Sequence, residues 1–529
     1  MKKDATKDTQ LFASICRPRL LTLEKEASEV ALRAREVEYV RSAFLPVVDE
    51  RMLEIYARAR DPDDPFELRN LWLGRIEDEL GPHGRRPWLA EQWRVTTMHR
   101  RVSPDEVLTS RATVRFIKEL FNWFFRDDLY GELRSESHLI LSSGSVDEQA
   151  WGLPETLKEC IRYALERDWY GYSDSRGRIP AREAVAAYES ARIKGGTYKA
   201  ENVALTMGGT FAISALADFI LLGSAKTGSP ALCGIPNYPP LLESVARRRN
   251  IQLVPLPSQS GQTSLEPLIA ALTPHTPLVL LQKIANPTGA TIADSELARL
   301  VHAASPSTMI LLDECHEWLG PFELCSHVRA AANVIRVSSI SKMWSAPGMK
   351  IGWVIADSRF IADYYEYAST TFGGPPSFFY TMIEVLARME RWLINGIESP
   401  GICEVNEFES SYRLDSRRLQ EAYISYRRER IARENALKTL RDAAIAGLGQ
   451  ASASILPPHY SINIAVEFPG WVDSYRCFRD LLRETGVAVF PGILTFCFSG
   501  GIVRVTTARR WADLSSAIAR LQARLAHRK

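Results

Sequence analysis

The stretch Ser338–Trp353, "SSISKMWSAPGMKIGW", decides how this chain is read. One lysine, Lys342, stands between small hydroxyl residues and a Pro-Gly turn, directly after the apolar run "ANVIRV". A lysine on a solvated helix face needs no such company. A lysine held by a turn at the end of a strand is placed for a task, because the carboxyl ends of strands in open α/β sheets are where ligands bind.

Working outward, residues 200 to 355 alternate short apolar runs with amphipathic segments. "PALCGI", "PLVLLQKI", "TMILLD" and "NVIRVSS" are apolar throughout and bounded by turn residues. This pattern suits strands buried on both faces of a largely parallel sheet. "PPLLESVARRR" and "DSELARLVHAA" supply crossover helices, so the expected fold class is α/β. After residue 376 come long charged helices, then the strands "YSINIAVEF" and "GIVRVTT" and a final helix, which together predict a smaller α+β domain. Residues 1 to 130, the stretch 23–60 among them, carry apolar residues at three- and four-residue spacing and predict a mostly helical extension. The expected division is a helical extension over 1–130, a large domain over 131–376 whose start contributes to the small domain, and connecting helices with the small domain over 377–529.

Composition sets the outer bounds. The chain has 529 residues, 46% hydrophobic and 24% charged, with a formal net charge of +2. That balance gives no general argument for nucleic acid or a membrane surface. Acids and bases nearly balance in the first 130 residues, where no helix-turn-helix with a basic wing is recognisable. The eight cysteines are scattered without a C-x-x-C pair, which argues against zinc or a disulfide scaffold and for a reducing compartment. With no apolar run of about 18 residues and a poor signal-peptide pattern, a cytoplasmic protein is expected.

Chemistry gathers at the strand ends. "TMILLD" ends in Asp313, "ALCGIPNY" in Tyr238, "LVLLQKIANPTG" in Asn286 and "NVIRVSSISK" in Ser339 and Lys342. Each alone has a plain explanation: Asp313 as a helix cap, Asn286 as a turn residue, Lys342 as a surface lysine. Gly208, Gly209 and Thr210 head an apolar helix and make a ready anion site, with free N–H groups and a hydroxyl.

In chain order, GGT, "PNYP", "NPTG", "DECH", "SSISK" with Pro-Gly beyond, and the arginine of "GIVRVTTA" resemble the class I/II aminotransferase family of fold type I, the pyridoxal 5′-phosphate enzymes. The resemblance covers roughly residues 138 to 525 and fails over the first 130. It implies a large, mainly parallel-sheet domain with flanking helices and a smaller α+β domain. It implies that Lys342 forms the Schiff base with pyridoxal 5′-phosphate and moves the substrate proton, and that Asp313 pairs with the pyridine nitrogen. Asn286 then matches the asparagine on the phenolic oxygen, and Tyr238 the aromatic stacked on the ring. Gly208, Gly209, Thr210 and Ser339 match the phosphate cup. Tyr172 matches a tyrosine lent to the neighbouring subunit, which implies at least a homodimer. Arg504 matches the arginine that grips the substrate carboxylate, with Asn286 and Gly144 lining that place.

Two positions depart from the pattern. His316 holds the place of a tyrosine, three residues past Asp313; it either only holds the ring or joins in proton transfer. Lys350 stands where a phosphate-binding arginine is usual, and lysine lacks the bidentate fork. Transamination of an amino acid is the leading expectation. The alternative is an elimination or carbon–carbon bond-forming enzyme, similar to 1-aminocyclopropane-1-carboxylate synthase and acting on S-adenosylmethionine. His316, the extra helical layer and the aromatic patch "FNWFF" favour such a specialised reaction on a bulky substrate. A transcription regulator carrying an aminotransferase-like domain is a minor third reading.

Overall fold

The computed structural model describes residues 10–20, 23–39, 42–223, 228–320, 322–370, 374–450 and 453–526. A seven-stranded mixed sheet forms, and four of its strands are the runs that the sequence marks as buried. Its order is Val203–Thr206, Gly352–Ile355, Val334–Ser339, Met309–Asp313, Leu278–Gln282, Ala231–Ile235 and Ile251–Pro255. Gly352–Ile355 runs antiparallel to both of its neighbours. Ala231–Ile235 is parallel to Ile251–Pro255 and to Leu278–Gln282. The strand Ala231–Ile235 is buried at every position, as a sheet covered on both faces requires. The crossover helices fall where amphipathic spacing puts them, at Pro239–Ala246 and Asp294–Ala303. Among the described residues no helix is long and apolar enough to cross a membrane.

The chain divides into two compact units. The first comprises residues 1–24, 145–219 and 311–439. Its interior holds an ionic core. Arg336 donates to Glu314 from Nε and Nη2 (3.0 and 2.7 Å) and to Glu189 Oε2 (2.7 Å). Trp353 Nε1 donates to Glu189 Oε1 at 2.8 Å and Arg329 Nη1 to Glu314 Oε1 at 2.9 Å. Three adjacent strands and the helix Ile179–Arg192 are thereby joined through charged groups that water does not reach.

The second unit comprises residues 25–144, 220–310 and 440–529, so it combines the N-terminal layer with the C-terminal segment. The strands Ser454–Leu456, Asn463–Glu467, Ile502–Thr506 and Phe490–Pro491 form a four-stranded sheet in that order. The N-terminal helices dock on the helix Ser474–Thr485 through buried polar pairs. Arg75 pairs with Asp473, Arg479 Nη1 lies 2.6 Å from Glu77 Oε1, and Tyr475 Oη donates to Asp128 Oδ2 at 2.7 Å. Phe124 meets Phe478 edge-on at 4.8 Å.

The stretch 23–60, whose spacing reads as mostly helical, is interrupted in the structure. Lys25–Leu32 is helical and Arg33–Glu36 is a 3₁₀ turn. An extended segment then pairs Ala43–Phe44 with Ser258–Gln259 before a new helix, Glu50–Arg58, begins. Pro46 has no N–H for a helix interior, and Asp49 caps the next helix by accepting from the Met52 N–H at 3.1 Å. Burial of Phe44 beside Leu456, Ala465 and Ile502 outweighs the helical spacing there.

Removing the central guanidinium of the ionic core by Arg336→Met should cost about 3–5 kcal/mol, because Glu189 and Glu314 would be left buried and under-compensated. Urea denaturation measures it. Burial alone would raise the Glu189 carboxyl, but Arg336, Arg192 and the Trp353 indole reverse that and hold it below its ordinary 4.5. The Glu189 contribution is therefore complete above pH 4.5 and is lost as pH falls through the lower folded value. Glu189→Gln should flatten that acid-side loss in unfolding measured from pH 7 downward.

Candidate active site

In the first unit, the strand Met309–Asp313 delivers Asp313 at its carboxyl end, 7% exposed. The next turn folds back so that the Cys315 N–H donates to Asp313 Oδ1 at 3.0 Å, and the Glu314 N–H ties it to Val337 O at 2.8 Å. His316, half-buried, precedes the 3₁₀ turn Glu317–Leu319. The neighbouring strand Val334–Ser339 ends in buried Ser339, and half-buried Lys342 follows. Gly208 adopts φ +83°, a conformation side chains avoid, and Gly209 opens the helix Gly209–Gly223. A Cβ on Gly209 would lie 2.5 Å from Cys315 Sγ, so only glycine lets the helix start approach this closely.

Cys315 shows what surrounds this cluster. Its thiol is driven well above its ordinary pKa by burial first and then by the Asp313 charge, while Ser339 and Lys342 act the other way. Asp313, Ser339 and Gly209 thus pack about Cys315, and Lys342 follows Ser339 by three residues. Thr210 and Lys350 are exposed, Lys350 in a left-handed conformation with φ +56°. Tyr172 projects fully into solvent and does not join the cluster.

The turn after Lys342 has its own clamp. Arg433, fully buried, donates to Met343 O, Ser345 Oγ and Trp151 O at 3.2, 3.2 and 2.9 Å. Burial pulls its guanidinium down to about 10.

In the second unit, Arg504 sits in the strand Ile502–Thr506, 5% exposed. Nη1 donates to Asn286 Oδ1 at 3.0 Å and Nη2 to Ser142 O at 2.8 Å. The guanidinium carbon lies 4.0 Å from the centre of the Phe490 ring, its cross-strand partner in register. Nε has no hydrogen-bond partner. Burial draws this guanidinium down to about 10, against a smaller opposite influence of Tyr238. Among the described residues no carboxylate pairs with it. Gly144, at φ +63°, donates its N–H to Thr506 Oγ1 at 3.0 Å, and a Cβ there would lie 2.7 Å from Arg504 Nη2. Tyr238 precedes the helix Pro239–Ala246, and burial raises its phenol. Arg504, Asn286 and Gly144 are thus brought together within this unit.

The sequence reading missed Cys315 and Phe490. For Phe490 a signal existed, since its antiparallel position opposite the singled-out Arg504 sets it on the same face of the sheet.

Comparison with known proteins defines the class. The sequence pattern described as aminotransferase class I and II matches residues 137–393. A probable N-succinyldiaminopimelate aminotransferase of Mycobacterium tuberculosis is 30% identical over 250 residues, 44% of this chain and 60% of that protein. An aspartate aminotransferase of Pyrococcus horikoshii is 28% identical over 273 residues, 49% of this chain and 67% of that protein. The chain therefore spans 60% of the length of the first of these relatives. A solved Thermus thermophilus aspartate aminotransferase variant superposes with TM-score 0.60 at 20% identity, covering 80% of this chain and all of that one. The solved N-succinyldiaminopimelate aminotransferase of M. tuberculosis gives 0.59 at 22% identity, covering 75% and 97%. The fold is that of the fold type I aminotransferases, and the sequence likeness to the class I and II aminotransferases is confined to residues 137–393. The sequence match begins where the resemblance was expected to begin but ends well short of residue 525.

Gly209→Ala should destabilise the protein by about 1–3 kcal/mol through overpacking against Cys315. The double variant Gly209→Ala, Cys315→Ala should recover most of that loss in thermal unfolding. A double variant no better than the single one would show that the close approach to sulfur is not the constraint.

Proposed function

We propose that the chain is a pyridoxal 5′-phosphate-dependent aminotransferase acting on an amino acid. The observation that carries the reading is the packing of Asp313, Ser339 and Gly209 around Cys315 at the carboxyl ends of two adjacent strands, with Lys342 three residues past the second. The fit to the cofactor rests on that cradle. Only glycine fits at 209 against Cys315, the helix start offers N–H groups to an anion, and a buried carboxylate ends the strand next to the one that leads into Lys342.

In this reading Lys342 holds the cofactor covalently. Asp313 keeps a proton on the ring nitrogen, and Tyr238 lies against the ring face. Gly208, Gly209, Thr210, Ser339 and Lys350 receive the phosphate. Asn286, whose Oδ1 accepts from Arg504, keeps its amide N–H groups for the phenolic oxygen. His316 takes the place of a tyrosine there. Tyr172, fully exposed, is available to the phosphate of a second subunit, so the active unit is at least a homodimer. When bound, the cofactor withdraws electrons from the substrate α-carbon. The Lys342 amine, once displaced by the substrate amine, would take and return the proton at that carbon.

Arg504 supports the substrate assignment. A buried guanidinium satisfied only by neutral oxygens, with Nε left over, is set up for an anion that arrives from outside. An α-carboxylate has the right charge and planar shape. The eight free cysteines support a reducing, cytoplasmic location.

Reconstitution with pyridoxal 5′-phosphate, hydride reduction and peptide mapping tests the reading. A single adduct is expected, on Lys342, and Lys342→Ala should lose it together with about 10²–10⁴-fold of amino-group transfer. A protein that stays colourless and unlabelled overturns the proposal. Arg504→Lys should raise KM for the amino acid about 10- to 100-fold, reflecting a lost charge-assisted fork worth about 1.5–3 kcal/mol.

A further inference from the structure

Within the second unit, the N-terminal layer touches Tyr238 and Phe490 directly. The helix Arg111–Trp123 lies alongside the helix Pro239–Ala246 and grips both of its ends. At one end the Arg111 side chain donates to Ala246 O and Arg247 O, at 2.5 and 3.1 Å, and so satisfies carbonyls at the helix C-terminus. At the other end Phe121 meets Tyr238, the residue just before that helix, edge-on at 5.7 Å and 77°. Between the two, Arg115 faces Glu243 at 4.0 Å.

The same aromatic run also braces Phe490. Phe121, Phe124 and Phe125 lie 6.1, 5.4 and 6.0 Å from its ring, and Phe490 carries the Arg504 guanidinium at 4.0 Å. One ring of the extension therefore touches the aromatic proposed to stack on the cofactor and also the aromatic that floors the anion-binding arginine. Phe124 is fully buried, whereas Phe121 is half-buried, so its replacement leaves the core packing largely in place.

We infer that the helix Arg111–Trp123 is a splint for the substrate and cofactor contacts of this unit, with Phe121 a positioning residue for Tyr238 and for the Phe490–Arg504 stack. This rests on the cofactor reading given above. The extension then belongs to the machinery of the reaction, a role separate from any part it has in assembly.

The test uses the full-length holoenzyme, with pyridoxal 5′-phosphate and propionate as probes. An edge-on aromatic pair contributes about 0.5–1.5 kcal/mol. Phe121→Ala should therefore weaken pyridoxal 5′-phosphate and propionate about two- to ten-fold each, shift the absorbance band of the bound cofactor, and raise KM more than it lowers kcat. Phe121→Tyr, which keeps the ring, should restore both affinities. Trp88→Ser, a change at an exposed ring elsewhere in the same layer, should leave both unchanged. Arg111→Gln, which frees the far end of the splinted helix, should reproduce the Phe121→Ala band shift in weaker form. Unchanged affinities and absorbance in Phe121→Ala overturn the inference, as does an equal loss in Trp88→Ser. If wild-type protein takes no adduct at Lys342, the cofactor reading fails first and this inference falls with it.

Discussion

Arg336 shares a water-free interior with Glu189 and Glu314, and none of the three charges is tolerable there without the others. The arrangement is demanding because it must be assembled whole. It is also directional, since guanidinium and carboxylates fix angles as well as distances. Glu314 directly follows Asp313, and Arg336 lies three residues before Ser339, so the network sets the ends of two adjacent strands against each other. The polar residues at those ends inherit a fixed spacing from charges that never meet solvent. Trp353 and the helix Ile179–Arg192 enter through Glu189 and extend the same constraint to the antiparallel edge of the sheet.

Arg504 obeys the opposite logic. It is buried to a similar degree, yet its partners are an amide oxygen, a backbone oxygen and a phenyl face. A scaffold charge is closed by its counter-charges, as Arg336 is, while Arg504 is left open on the anionic side. The two guanidiniums thus differ in kind, one neutralised by carboxylates and the other held by uncharged groups. Arg433 falls between them, since it spends its donors on backbone oxygens to hold the turn after Lys342.

The sheet was legible because uninterrupted apolar runs of this length have few other fates, and the strands end within a residue or two of the expected positions. The residues at the strand ends were legible for the same reason, once the strands were placed. Three features were not. The break in the first helical stretch depends on Phe44 finding a pocket made by residues more than 400 positions later in the chain. Cys315 gains its place from Gly209, and a lone cysteine next to acidic residues carries no sign of that in sequence. The partnership of "FNWFF" with Tyr238 and Phe490 is likewise long-range. An aromatic stripe at helical spacing announces burial but not against what.

The way the second unit is stitched bears on how the protein is made. Its polar pairs join residues 347, 398 and 402 positions apart: Asp128 with Tyr475, Arg75 with Asp473, Glu77 with Arg479. On the ribosome the early helices emerge long before their counterparts exist, and at about 5–20 residues per second the wait is tens of seconds. During that interval Arg75, Glu77 and Asp128 lack these partners, and Phe124 lacks the Phe478 and Phe490 rings that it meets in the folded chain. The second unit therefore cannot close until the final hundred residues are synthesised.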